Sequence, residues 1–190
     1  MELIFSLALG IGLSAACGFR IFVPLLVVSA AARGGLLALA PGFEWMGSYP
    51  ALLTFAVATV IEILAYFIPW VDNALDSLAV PAAVVAGTVI TASVIYGIDP
   101  WLQWTLAVIA GGGTAGLVQG ATTALRAMST AVTGGFGNFL VSTAEMIGSF
   151  VTSFIAIFFP LVAVALVVVV LVILFGQRRR LIRSNPSPAP

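Results

Sequence analysis

From Leu3 to Phe175 the chain is an almost unbroken series of apolar segments, separated by little more than glycine, proline and a few charges. A membrane-spanning helix needs about 20 mostly apolar residues. The first such segment runs from Leu3 to Ala31, interrupted by Gly18, Arg20 and Pro24. A loop from Arg33 to Tyr49 follows, and a second segment opens at Pro50, a residue favoured in the first helical turn, and runs to Pro69-Trp70. The polar stretch 71–77 leads into a third segment from Leu78 to Tyr96, closed by the turn residues Gly97-Ile98-Asp99-Pro100. The fourth opens at Trp101 and passes Gly111-Gly112-Gly113 to Met128. The last, Phe139 to Phe175, exceeds a bilayer core of roughly 30 Å at about 1.5 Å per residue, so it kinks at Pro160, projects from the membrane, or divides. The fold expected is all-α: a polytopic transmembrane helical bundle of about five spans, with six as the alternative and with broken or re-entrant helices.

The charge content agrees. Only 7% of the 190 residues are charged and 62% are hydrophobic, whereas a soluble domain carries about 25% charged residues. The mean hydropathy is +1.21. A water-facing surface cannot be built from so few charges. Formal net charge is zero, and no basic face exists to suit a nucleic-acid partner. With no histidine and the single cysteine Cys17, His-based zinc or haem ligation, Cys-cluster metal sites and intrachain disulfides are excluded. No cofactor, no metal and no enzymatic activity are expected. Lipid chemistry would have to rely on Glu62, Asp72, Asp76 or Glu145, whose spacing forms no recognised catalytic motif.

Ala15-Ala16-Cys17 faintly resembles a lipoprotein cleavage site, but Glu2 stands where a signal peptide carries positive charge and the apolar run continues past Cys17. A retained first helix is the reading. Arg178, Arg179, Arg180 and Arg183 place residues 177–190, a Pro-rich tail disordered by composition, on the cytoplasmic side. Arg33 favours that side for the first loop, and Trp45, Trp70, Trp101 and Trp104 fall near expected helix ends, where interfacial aromatics concentrate.

Four charges fall inside the apolar segments: Arg20, Glu62, Arg126 and Glu145. A charge at the bilayer centre costs about 2.5–3.5 kcal/mol on insertion scales, so such residues pair or line a wet cavity. Either they form two structural ion pairs, or they mark a solute or ion pathway. Asp72 and Asp76, four apart with Asn73 between them, belong to a solvated interfacial turn or to a cation or proton site in a short broken helix. The hydroxyl- and glycine-rich stretch 129–138 (Ser129, Thr130 and Asn138 among it) is a binding loop if it lies inside the bilayer and an ordinary turn if outside.

Small residues recur at four-residue spacing, Gly10, Ser14 and Gly18 in the first segment and Gly112, Gly116, Gly120 and Ala124 in the fourth. This spacing lets membrane helices approach closely. An arginine follows two residues after the small series in both, Gly18-Phe19-Arg20 and Ala124-Leu125-Arg126, which hints at an internal repeat.

The segments CGFRIFVPLL (17–26), EILAYFIPWVDNALD (62–76), PAAVVAGT (81–88), AGGGTAGLVQGATT (110–123) and STAVTGGFGNFLVSTAE (129–145) together resemble the bacterial and plastid membrane family catalogued as domain of unknown function 4126. The resemblance covers roughly residues 8–165. It implies one shared pattern of polar motifs and carries no activity, substrate or cofactor. The expectation drawn from the residues themselves is a small transporter or channel for an anionic, zwitterionic or proton-coupled solute, acting in the lipid bilayer as a homo-oligomer. The alternative is a non-catalytic scaffold or assembly subunit.

Overall fold

The computed structural model describes residues 1–66, 68–170 and 172; at 69–74 and 76 it describes the backbone alone. The arginine-rich tail therefore lies outside the described residues. Those described are helical, with no strand among them. The helices are α1 (Glu2–Cys17), α2 (Phe22–Arg33), α3 (Tyr49–Ala65), α4 (Pro69–Val94), α5 (Pro100–Leu106), α6 (Gly113–Thr133), α7 (Asn138–Phe158) and α8 (Pro160–Val170). A 3-10 turn, Glu44–Gly47, precedes α3, and a π-helical stretch, Ala107–Gly112, joins α5 to α6. Two of them are long and apolar enough to cross a membrane: α4, over Ser77–Val94, and α7.

The first apolar segment is not one span. Proline at 24 cannot donate to the carbonyl of Arg20 and its ring crowds it, which disfavours a continuous helix through 20–24. In α2, by contrast, Pro24 sits in the first turn, where its missing N–H is not needed. The chain breaks at Gly18–Ile21 and turns back. Met1, Glu2 and Leu9 line the same 490 Å³ cleft as Leu36, Leu37 and Ala38, which places the start of α1 and the end of α2 side by side. α1 and α2 form a hairpin whose tip carries Arg20.

The third segment starts earlier than expected, because Pro69 opens α4 instead of closing α3. Residues 71–77 are helical, so the backbone at Asp72, Asn73 and Asp76 belongs to the first turns of α4 and not to a turn; their side chains lie outside the described residues. The stretch 129–138 is also mostly helix. α6 continues to Thr133, and Gly134 and Gly135 at φ +64° and +96° supply the left-handed backbone that reverses the chain into α7. The last apolar block divides at Phe159-Pro160. A Cβ on Gly12 would meet Ala156 of α7 and Ala163 of α8 at 2.8 Å each, so α8 folds back along α1.

Packing follows small residues. A Cβ on Gly10 would lie 2.8 Å from Thr91 of α4, on Gly18 2.5 Å from Val118 of α6, on Gly112 2.6 Å from Thr88 and on Gly116 2.8 Å from Val84. Gly120 does not belong with them: a Cβ there meets nothing within 4 Å. It lies on the exposed side of α6. Gly12, Gly87 and Gly111 serve instead, the last two in the contact of α4 with the π-helical stretch.

Candidate functional site

Four elements bring polar side chains to one spot. Arg20 comes from the tip of the α1–α2 hairpin and Glu62 from the last turn of α3, followed by Tyr66 at its C-cap; Arg126 comes from α6 and Glu145 from α7. Their relative exposures are 2% for Arg20, 9% for Glu62, 1% for Arg126 and 5% for Glu145, so four ionisable groups are withdrawn into the protein together.

Glu62 does not pair with an arginine at hydrogen-bond distance. Its Oε1 accepts from the amide of Ile21 at 2.8 Å and its Oε2 from the amide of Phe22 at 3.0 Å. These are orphan donors at the start of α2, where the helix dipole favours negative charge. A carboxylate four residues from the end of α3 thus caps a helix that begins inside the bundle, and this fixes the hairpin tip.

Glu145 binds both arginines. Arg126 Nε donates to Glu145 Oε1 at 3.0 Å and Arg126 Nη2 donates to Oε2, a side-on two-pronged pair. Arg20 Nη2 lies 3.5 Å from the same Oε2 and donates to the carbonyl of Ser142 at 3.0 Å. Both guanidinium carbons also stand over the ring of Tyr66, Arg20 Cζ at 3.8 Å and Arg126 Cζ at 4.1 Å from its centroid. A desolvated cation over such a ring gains about 2 kcal/mol, and the ring with Glu145 offsets the repulsion of two cations held close together. Arg20 Nε, Arg20 Nη1 and Ser142 Oγ are buried without a hydrogen-bond partner among the described residues.

Ser129, Thr130 and Asn138 serve the turn that follows α6. They tie the α6–α7 turn to itself: Asn138 Nδ2 donates to Thr130 Oγ1 at 3.0 Å, and Thr133 Oγ1 donates to the Ser129 carbonyl at 2.7 Å while accepting from the Gly137 amide at 2.9 Å. The binding-loop reading of 129–138 gives way to a hairpin connection. Two members of the centre, Tyr66 and Ser142, were not among the expected site residues, although Tyr66 follows Glu62 by four positions and Ser142 precedes Glu145 by three, spacings that share a helix face.

Residues 7–180 match the family model described as a domain of unknown function (DUF4126). The chain belongs to this family. No curated protein and no solved structure matches it. The matched region contains every residue of the charged centre and the close contacts at Gly10, Gly12 and Gly18.

Proposed function

We propose that this DUF4126 member is a multi-pass membrane protein that moves a small solute or ion, with the charged centre as its intramembrane site. The single observation carrying this reading is the buried guanidinium of Arg20, which keeps two nitrogens without partners among the described residues. A purely structural ion pair would use such donors, because an unsatisfied buried donor costs about 1–3 kcal/mol.

Several features support membrane placement. Large apolar side chains are exposed along α3 (Leu53, Val57, Val60, Ile61, Leu64), which suits lipid contact. Trp45, Tyr49, Trp101 and Trp104 are exposed around one end of the bundle, where the ring of Phe43 meets that of Trp104 at 6.0 Å, in keeping with an interfacial belt. With α1–α2 as a re-entrant hairpin, the crossing elements are α3, α4, α5–α6, α7 and α8, which keeps the count at five. The four tail arginines then set the C-terminus in the cytoplasm, and the loop bearing Arg33 lies on the opposite face.

The centre is withdrawn from the surface in this conformation: its four charged residues are at most 9% exposed. Transport therefore requires a second state, reached most simply by movement of the α1–α2 tip, whose only charged clamp on α3 is Glu62. Flux of a broad ion and metabolite panel in proteoliposomes tests this. Solute movement that the wild type supports and Arg20→Ala loses is expected; identical leak in both overturns it.

The two-pronged pair of Arg126 with Glu145 favours a second reading, a scaffold held together by internal pairing. The exchange Arg126→Glu with Glu145→Arg decides between them. Restored folding together with full cellular role supports the scaffold, whereas restored folding without flux supports the transporter.

A further inference from the structure

We propose that Arg20 and Ser142 form the binding point for one compact monoanion, a halide or an oxyanion of formate or nitrate size. This rests on the reading of the charged centre as a solute site and adds the class of solute. The argument is a balance of donors against acceptors. Both oxygens of Glu62 are taken by the amides of Ile21 and Phe22. Both oxygens of Glu145 are taken by Arg126, with Arg20 Nη2 at the margin. The Ser142 carbonyl accepts from Arg20 Nη2. Among the described residues, what is left over at this point is Arg20 Nε and Arg20 Nη1, which can only donate, and the hydroxyl of Ser142, which can donate as well. Both residues are 2% exposed, so bulk water does not meet the need.

A cation placed there would face guanidinium N–H groups and like charge, so it is excluded. An acceptor with negative charge completes the set through charge-assisted hydrogen bonds. The ring of Tyr66 covers the face of the Arg20 guanidinium, so its free donors point along the guanidinium plane, the direction in which a carboxylate-like or spherical acceptor is held. Size and valence follow from the surroundings. Arg20 and Ser142 are withdrawn from the surface among packed helices, which favours a ligand of few atoms. A second negative charge would sit against Glu145 and Glu62, which limits the ligand to one.

Thermal unfolding of the purified full-length protein in detergent tests the site, with sodium chloride, nitrate and formate compared with sodium gluconate at fixed ionic strength. A saturable rise in unfolding temperature with the compact anions, and none with gluconate, is expected. The Ser142 hydroxyl makes no hydrogen bond within the protein, so Ser142→Ala should unfold like the wild type in gluconate. In formate its half-saturation should be weaker by roughly tenfold, the loss of one hydrogen bond to a charged group. Arg20→Lys, which keeps charge but not the planar fork, should lose saturation altogether, and Arg33→Ala should match the wild type. Failure of the wild type to saturate, an equal rise in gluconate, or identical titration of Ser142→Ala overturns the proposal; if Arg20→Lys does not fold, Ser142→Ala alone decides. Flux measured on the same preparation separates the two readings. Saturable binding without flux removes transport and leaves the anion site, and flux without an anion-dependent rise removes the site and leaves transport.

Discussion

Two of the polar regions buried in this bundle are built on opposite rules. Along the contact of α1 with α4, Ser14 Oγ donates to the Gly87 carbonyl at 2.8 Å and lies 2.6 Å from Thr91 Oγ1, which in turn donates to the Gly10 carbonyl at 3.1 Å. Every side-chain polar atom there has a partner, and the glycines let the backbones meet. One helix turn away, at the hairpin tip, charges replace hydroxyls and three polar atoms stay unpartnered. The first region is what helix packing in an apolar medium requires. The second exceeds that requirement, and buried ion pairs add little net stability. The contrast separates a structural polar contact from one kept for another purpose.

The comparison breaks most visibly at Glu145. Its removal leaves Arg20 and Arg126 beside one another at 2% and 1% exposure with their shared carboxylate gone. Breaking a buried pair by deleting one partner costs about 3–5 kcal/mol, so Glu145→Ala should unfold at far lower denaturant than the wild type, or fail to accumulate. Equilibrium unfolding in mixed micelles measures the difference. A loss below about 1 kcal/mol would show the centre to be water-filled and the pairing incidental.

Much of this was legible in the residues. The four charges inside apolar segments identified Arg20, Glu62, Arg126 and Glu145 as a group, and the small-residue spacing identified Gly10, Gly18, Gly112 and Gly116 as contact positions. What misled was the reading of length as topology. Leu3 to Ala31 is long enough for a span, yet Pro24 forbids a helix through Arg20 and the segment doubles back. Pro69 looked like a stop because a proline ends a helix as readily as it starts one, and only the backbone of α4 decides. Spacing could not exclude Gly120, which has the same register as Gly116 but lies where no neighbour approaches. Nor could it place Ser129, Thr130 and Asn138, which contribute to the turn between α6 and α7. The partnering of Glu62 with amides of a distant helix was beyond any local pattern, since it pairs positions 41 and 40 residues apart.

A smaller effect is expected at the α1–α4 contact. Gly10→Val adds a branched side chain whose Cβ would lie 2.8 Å from Thr91 Cγ2 and 3.2 Å from Thr91 Oγ1. Overpacking of this kind costs about 1–3 kcal/mol, because α1 must move away from α4 and the Ser14–Thr91 contact opens. The same unfolding assay reads it, and a variant as stable as the wild type would mean that the two helices do not pack as closely as described.

The finest test pairs two serines. Ser14 and Ser142 are both buried, at 0% and 2% exposure, and each becomes alanine by loss of a single oxygen. At Ser14 that oxygen joins two helices, and interhelical hydrogen bonds of this type contribute about 0.6 kcal/mol on average and up to about 1.7. At Ser142 the oxygen has no partner in the protein, so its loss relieves a buried unsatisfied group and removes no bond. Without a compact anion, Ser14→Ala should therefore be less stable than the wild type by about 1 kcal/mol, and Ser142→Ala should equal or slightly exceed it. Equal losses in the two variants would erase the distinction between the regions, because Ser142 would then be holding the fold in the way Ser14 does.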